Sequence, residues 1–380
     1  MPQKVRAAVM TAPKKMEVRR FDYPKVGKDD LVVKVDMCGI CGTDQHLWLG
    51  ELGAKYPVIP GHEPIGTVDK IGSAAAQELE VQGQVLSEGD RVVWSNSIPC
   101  GKCYGCRWLA WPKSHFCTSE ETYGFDNCED PRLRPWLTGG FAEYLMIKPK
   151  TWVYKVPDEL PTDVAVLMDA LVSIRGVETS MSVVPVMREG FAQFDTVVIQ
   201  GAGPVGVLAA FKAKAMGAGK VVMIGGPKER LKIARKFGAD QTIDIAEVKK
   251  DSDRIQAIRD ATAKIGADLV VECTGFPSAV PEGIEMLRMG GTYVLIGCWA
   301  NRGPVGIDPS RIVTRELHIV GQRYAAPQQY GRDLKFLSKF LKEYPFGELV
   351  THRFGLDEVG DALRQQGNFG GMKLAVTPWG

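Results

Sequence analysis

Apolar and polar positions follow two regimes along this chain, and the change comes near Ser173. From Val5 to about Val153 the apolar residues come in short runs, such as Val32–Val35 and Arg91–Trp94, bounded by Gly, Pro and Asp. Such runs predict strands, and their succession predicts an antiparallel β domain whose loops carry the function. After Ser173 strand-like runs alternate with helical ones. Thr196–Gln200, Lys220–Gly225, Ala267–Cys273 and Thr292–Gly297 read as strands, and Val207–Met216, Lys228–Phe237, Arg254–Lys264 and Val280–Met289 as helices. That alternation predicts an α/β domain, a doubly wound parallel sheet with helices on both faces. The remainder is mixed: Asp333–Glu343 and Asp357–Gln366 read as helices and Met372–Thr377 as a closing strand. Ala74–Gln84 reads as a surface insertion. The domain boundaries fall near residues 172 and 322, giving segments 1–172, 173–322 and 323–380.

The strand Thr196–Gln200 runs straight into Gly201-Ala-Gly-Pro-Val-Gly206, and a helical pattern follows. This is the strand, tight turn and helix start of a dinucleotide-binding unit. Gly201 permits the turn, Gly203 lets the backbone approach a pyrophosphate, and Gly206 lets the helix pack on the strand. The phosphates then lie at the positive end of the helix.

Composition narrows the partners. At 380 residues the chain has room for two cores, and its 24% charged residues are ordinary for a globular protein. The net charge of +2 mixes both signs, so nothing favours nucleic acid. No apolar run is long enough to span a bilayer, and the N-terminus lacks the apolar core of a signal peptide, which points to the cytosol. Four of the nine cysteines crowd between Cys100 and Cys117, and in a reducing compartment that clustering means metal ligation.

Cys100, Cys103 and Cys106 stand at even spacing on a glycine-containing loop, with Cys117 following. Four thiolates on one tetrahedral ion leave no open position, so such a site is structural. Zinc suits it, with an iron–sulfur centre as the alternative, and His115 as an alternative fourth ligand. A second set, Cys41, Thr43, Asp44 and His46 followed by His62 and Glu63, places a sulfur, an imidazole and a carboxylate on separate loops. Those are typical ligands of catalytic zinc, where a position is kept for water or substrate; taken singly, a core thiol and a structural histidine are the other readings.

With Gly39-Ile-Cys-Gly-Thr-Asp44, Gly61-His-Glu63, the four-Cys loop and the Gly201–Gly206 turn together, the chain resembles the zinc-containing medium-chain dehydrogenase/reductase family over nearly its whole length. That family includes alcohol, polyol and threonine dehydrogenases. The resemblance implies a GroES-like catalytic β domain, a Rossmann domain, and a C-terminal return to the catalytic domain. It implies two zinc ions per chain. Cys41 and His62 would ligate the catalytic one, with Glu63 beside it or in its coordination sphere and Asp44 orienting His62. The third ligand falls in Leu167-Met-Asp-Ala-Leu171, on Asp169, where polyol and threonine enzymes carry Glu; a surface carboxylate is the other reading. Thr43 and His46 match a hydroxyl and imidazole proton relay, or His46 is a solvated loop residue. Cys100, Cys103, Cys106 and Cys117 would hold the structural zinc.

For the coenzyme the resemblance implies contacts at Gly201, Gly203, Pro204, Val205, Gly206, Gly225, Arg230, Thr274, Gly297 and Lys373. NAD and NADP both remain open. The acid that reads the ribose about 20 residues past the turn is replaced by glycine in Ile224-Gly-Gly-Pro-Lys-Glu-Arg-Leu231, while Lys228 and Arg230 either attract a 2′-phosphate or form a solvated helix start. Gly42 stands where alcohol dehydrogenases often carry a phosphate-binding Arg. The implied substrate pocket has Trp48, Asn96, Phe141 and Trp299 on its walls, bulky and mostly apolar, with Asn96 as polar anchor. The expected function is hydride transfer between a secondary or cyclic alcohol and NAD(P). A polyol or amino-alcohol substrate is the alternative within the family, and a non-catalytic nucleotide-binding protein the alternative outside it. A homodimer or homotetramer is implied, through a sheet edge with which Tyr293–Ile296 is compatible.

Overall fold

In the computed structural model of this chain the described residues are 4–108, 116–130, 137–175, 177, 194–323, 327–368 and 370–380. They form two units, Met1–Asp169 with Ala326–Gly380, and Ala170–Ala325.

The first unit is mainly antiparallel β. It holds β1 (Lys4–Ala12), β2 (Lys15–Asp22), β3 (Leu31–Gly39), β4 (Glu63–Ile71), β5 (Arg91–Trp94), β6 (Ser97–Ile98), β7 (Glu121–Thr122), β8 (Tyr144–Ile147) and β9 (Val153–Lys155). The central strand is β3. Its side chains alternate between two cores: Leu31, Val33 and Val35 enter one, and Val32 packs into the other. A strand buried on both faces reads as a continuous apolar run, which is how Leu-Val-Val-Lys-Val looks in sequence. β3 pairs antiparallel with β4 and β8, and in the β3–β4 register Gly39 lies opposite Glu63. The segments Ile40–Cys41 and Gly61–His62 therefore emerge side by side from one end of a strand pair. The site is placed by this register.

The second unit carries β10 (Thr196–Gln200), β11 (Lys220–Gly225), β12 (Gln241–Asp244), β13 (Ala267–Glu272), β14 (Leu287–Leu295) and β15 (His318–Gly321). All pair in parallel, in the order β12-β11-β10-β13-β14-β15. The order reverses between β10 and β13, and ligands of such sheets bind at that switch point, beyond the carboxyl ends of the strands. The chain then returns to the first unit with β16 (Val350–Phe354) and β17 (Lys373–Val376), and β17 pairs antiparallel with β3.

Two expectations are corrected. Ala74–Gln84 is not simply a surface insertion: Ala75 and Leu79 are 2% and 4% exposed and join the first unit's core, and Glu80 is buried with its carboxylate accepting the Gln82 and Gln84 N–H groups. Gln77, Glu78 and Val81–Val85 are exposed. A short helix, Ala75–Glu78, turns the two apolar residues inward. Tyr293–Ile296 does not form a sheet edge either, because β14 is hydrogen-bonded on both sides, to β13 and to β15. The edge of this sheet on that side is β15. Among the described residues no helix is long and apolar enough to cross a membrane.

Candidate active site

Cys41 precedes the helix Gly42–Leu49, and Asp44 in its first turn fixes that junction. Asp44 Oδ2 accepts the Cys41 N–H at 2.8 Å, and its Oδ1 accepts the Gly61 N–H at 3.3 Å. One buried carboxylate thus ties the Cys41 loop to the His62 loop. Its Oδ1 also lies 3.5 Å from His62 Nδ1, too long for a good hydrogen bond. That nitrogen is buried and has no hydrogen-bond partner. Burial works against a charged His62, yet the charge of Asp44, and then that of Cys41, outweighs it and raises the pKa of the ring well above the usual histidine value. The field here favours positive charge.

Cys41, His62 and Glu63 each offer a ligand atom, and these atoms lie within 4.8 Å of one another. A sulfur, an imidazole and a carboxylate, buried in a field that favours a cation, fit zinc. Asp169 is not in that tight group. It lines the same small cavity as His62, Glu63 and Tyr330, with Pro64, Val93, Trp94, Ala165, Val166 and Met168 as the other walls. Its Oδ1 accepts from Asn96 Nδ2 and from the Tyr330 hydroxyl, each at 2.8 Å. Burial, and after it the charge of Glu63, pushes the Asp169 carboxyl up to about 6.

Lys373, from β17, donates to Glu63 Oε2, and both side chains are at most 3% exposed. The structure therefore sets Lys373 beside the metal cluster, in the first unit, where sequence placed it among the coenzyme contacts. Burial alone would strip its charge. The carboxylate of Glu63 and the Cys41 sulfur keep it protonated, with a raised pKa.

Thr43 Oγ1 lies 3.6 Å from Cys41 Sγ. His46 stands three residues on along the same helix, which puts the two on one face. Its Nδ1 is 2.5 Å from Glu51 Oε2, and the Glu51 side chain is 43% exposed.

The pocket walls expected from sequence are arranged differently. Trp48 and Phe141 belong to the first unit's core, at 4% and 0% exposure, because the helix Gly42–Leu49 turns Trp48 inward and the Phe141 N–H is held by Pro60 O. The Asn96 side chain donates to Asp169. Trp299 belongs to the second unit and is 47% exposed, with the Arg323 guanidinium over its ring. None of the four lines the cavity that holds His62 and Asp169.

The four-Cys loop closes as its spacing predicts. Ligand atoms of Cys100, Cys103, Cys106 and Cys117 lie within 4.8 Å of one another. The Cys103 sulfur is 3.5 Å from that of Cys106 and 3.8 Å from that of Cys117. A tetrahedron of Zn–S bonds has edges of about 3.8 Å, so the pocket has the size of a zinc ion. Backbone amides of Thr118 and Cys106 hold the Cys103 thiol down to about 5, which favours the thiolate that a metal needs. His115, the alternative ligand, lies outside the described residues.

In the second unit Gly201 has φ +110° and Gly206 could carry no Cβ, because one would sit 1.9 Å from Gly201 O. A Cβ on Gly203 would meet nothing within 4 Å. The turn is tight where helix and strand meet and open where a pyrophosphate has to approach. Pro204 opens the helix Pro204–Ala215, with Val205 following it in the first turn. Gly225 explains the missing acid: a Cβ there would lie 2.7 Å from Ala202 N, so no side chain fits at the end of β11. Arg230 sits in the helix Lys228–Lys236, partly buried, and burial lowers its pKa. Thr274 and Gly297 follow β13 and β14. Both are tied to a residue that local sequence reading missed, Glu272, which is fully buried. Its Oε1 accepts from Thr274 N, Thr274 Oγ1 and Gly275 N at 2.6–2.7 Å, and its Oε2 accepts from Cys298 N at 3.0 Å. The sequence signal was an acid ending an apolar strand.

Comparison with known proteins agrees with this geometry. Residues 27–158 match the alcohol dehydrogenase GroES-like domain, and residues 204–339 match the zinc-binding dehydrogenase family. The chain is 32% identical to 5-exo-hydroxycamphor dehydrogenase of Pseudomonas putida, over 95% of each chain. It is 31% identical to D-arabinitol dehydrogenase 1 of Uromyces fabae, over 100% of this chain and 98% of that one. A solved structure described as a zinc-binding dehydrogenase of Sinorhizobium meliloti, bound to NADP, superposes with a TM-score of 0.84 at 28% identity, covering 99% of this chain and 100% of that one.

Proposed function

This chain belongs to the zinc-containing medium-chain dehydrogenase/reductase family, and from that premise we propose that its substrate is a secondary or cyclic alcohol, oxidised to the ketone. It is a zinc-dependent, NAD(P)-dependent alcohol oxidoreductase. The observation that carries the substrate class is the 32% identity, over 95% of each chain, to a Pseudomonas putida enzyme named for a hydroxycamphor, a cyclic secondary alcohol. A polyol substrate is the second reading, supported by the D-arabinitol enzyme among the relatives.

In this reading Cys41, His62 and Asp169 hold the catalytic zinc, with Glu63 close enough to exchange with a ligand. Zinc supplies Lewis acidity that makes an alcohol hydroxyl acidic near neutral pH. The chain itself manages the proton. Thr43, beside the Cys41 sulfur, accepts the substrate hydroxyl proton as it gives its own to His46 on the same helix face, and the imidazolium, paired with the half-exposed Glu51, releases that proton to solvent. Asp44 keeps the Cys41 and His62 loops in register while this happens. The turn Gly201–Gly206 holds the coenzyme pyrophosphate. Thr274 and Gly297, fixed by Glu272, shape the crevice beyond β13 and β14, and Arg230 lies toward the adenosine ribose. Cys100, Cys103, Cys106 and Cys117 hold the structural zinc. Nine cysteines without a disulfide suit a reducing compartment, the cytosol. The chain assembles as a homodimer or homotetramer, with β15 as the sheet edge available for it.

A spectrophotometric panel with NAD and NADP tests the substrate class. Cyclic and simple secondary alcohols are expected to exceed arabinitol, sorbitol and threonine in kcat/KM by at least tenfold. A preference for the polyols would transfer the assignment to the second reading.

A further inference from the structure

We propose that Tyr330, together with Asn96, is a positioning residue for the metal ligand Asp169, fixing its carboxylate at the cavity shared with His62 and Glu63. The inference rests on the reading of Asp169 as a zinc ligand. The three residues are far apart in the chain, 73 and 161 positions from Asp169, and nothing local in the sequence joins them.

Tyr330 is held on every side. It lies in the first turn of the helix Gln329–Phe340 and is 4% exposed. Its ring stacks on Tyr154, with centroids 5.9 Å apart and planes 11° from parallel. Tyr154 is itself fixed by a hydroxyl bond to Pro327 O at 2.8 Å. The Tyr330 oxygen donates to Asp169 Oδ1 at 2.8 Å and receives the Asn96 N–H at 3.4 Å, while the Asn96 side chain reaches the same Asp169 oxygen at 2.8 Å. Two donors from different elements converge on one carboxylate oxygen, so the plane and reach of the carboxylate are set before an ion arrives.

The chemistry explains why residue 169 is a carboxylate. A hydroxyl or amide donating to an ionised carboxylate makes a charge-assisted bond, whereas a cysteine sulfur is a weak acceptor and would leave both donors poorly matched. Partners of metal ligands contribute roughly 10–100-fold to metal affinity.

The test uses the purified full chain, with Tyr330→Phe, Asn96→Ser and Asp169→Asn variants. Zinc per chain is measured during competition with a chelator, and the catalytic ion is exchanged for cobalt(II) to record its visible bands. Tyr330→Phe keeps the ring stack. It is expected to hold the four-Cys zinc as wild type does, to bind the second ion roughly 10–100-fold more weakly, and to shift the cobalt bands. Asn96→Ser should move in the same direction, and it decides the matter alone if Tyr330→Phe does not fold. Wild-type affinity and cobalt bands in both, with the second ion lost from Asp169→Asn, would overturn the positioning role alone. Retention of that ion by Asp169→Asn would overturn the ligand reading and this inference with it.

Discussion

Cys41 carries two dependencies at once. Its backbone is tied to Asp44, and its sulfur lies within 4.8 Å of the His62 and Glu63 ligand atoms. Cys41→Ser leaves the backbone bond intact and removes only the soft ligand. The variant should therefore stay folded, with an unchanged circular dichroism spectrum, while the catalytic zinc and all turnover are lost; normal turnover would remove Cys41 from the mechanism. The Glu63–Lys373 pair predicts a stability effect of another kind. Both side chains are out of water, and deleting one member of such a pair leaves the other charge unpaired, at a cost of about 3–5 kcal/mol. Lys373→Met should lose that much in urea unfolding, and the double variant with Glu63→Gln should recover most of it. An additive double variant would show that the two charges do not depend on each other.

At the scale of the element, the four-Cys loop and the glycine turn are two segments in which single atoms matter. Cys103→Ser opens a closed metal site, and such sites contribute folding energy directly. Its melting temperature should fall and one zinc per chain should be lost; an equally stable, zinc-depleted variant would contradict a structural role. Gly206→Ala would put a methyl group 1.9 Å from Gly201 O. It should destabilise the protein by about 1–3 kcal/mol, as overpacking does, and abolish quenching of protein fluorescence by either nicotinamide coenzyme. These segments were legible from sequence because their chemistry is local: fixed cysteine spacing, and glycines between an apolar strand and a helix. β10 and β11 run over the residues read for them for the same reason. Boundaries without such punctuation shifted. The helix Asp251–Ala261 begins before the expected Arg254, because Asp251 and Asp253 in its first turn suit the positive end of a helix but carry no apolar period. β14 starts at Leu287, inside the segment read as the end of a helix. The partners of Asp169 were out of reach, since Asn96, Asp169 and Tyr330 meet only through tertiary packing, and the Asn96 amide, expected at the substrate, belongs to that cluster. Lys373 was noticed, but its pairing with Glu63 is a product of β17 lying beside β3.

For the whole molecule, ligand binding should appear as stability. A coenzyme at 100 times its Kd stabilises the folded protein by about 2.7 kcal/mol, so thermal unfolding with NAD and with NADP in turn should show a concentration-dependent upward shift for the coenzyme used. No shift with either would remove the dinucleotide site. The order in which the chain is made has a further consequence. Residues 170–325 form one uninterrupted unit, whereas the other is built from 1–169 and 326–380. During synthesis domains fold as units as they emerge. The dinucleotide unit is complete on the ribosome while the metal unit still lacks β16 and β17. Until residues 373–376 emerge, β3 lacks its neighbour β17 and Glu63 lacks its lysine, so in a nascent polypeptide the cradle for the coenzyme precedes the finished zinc site.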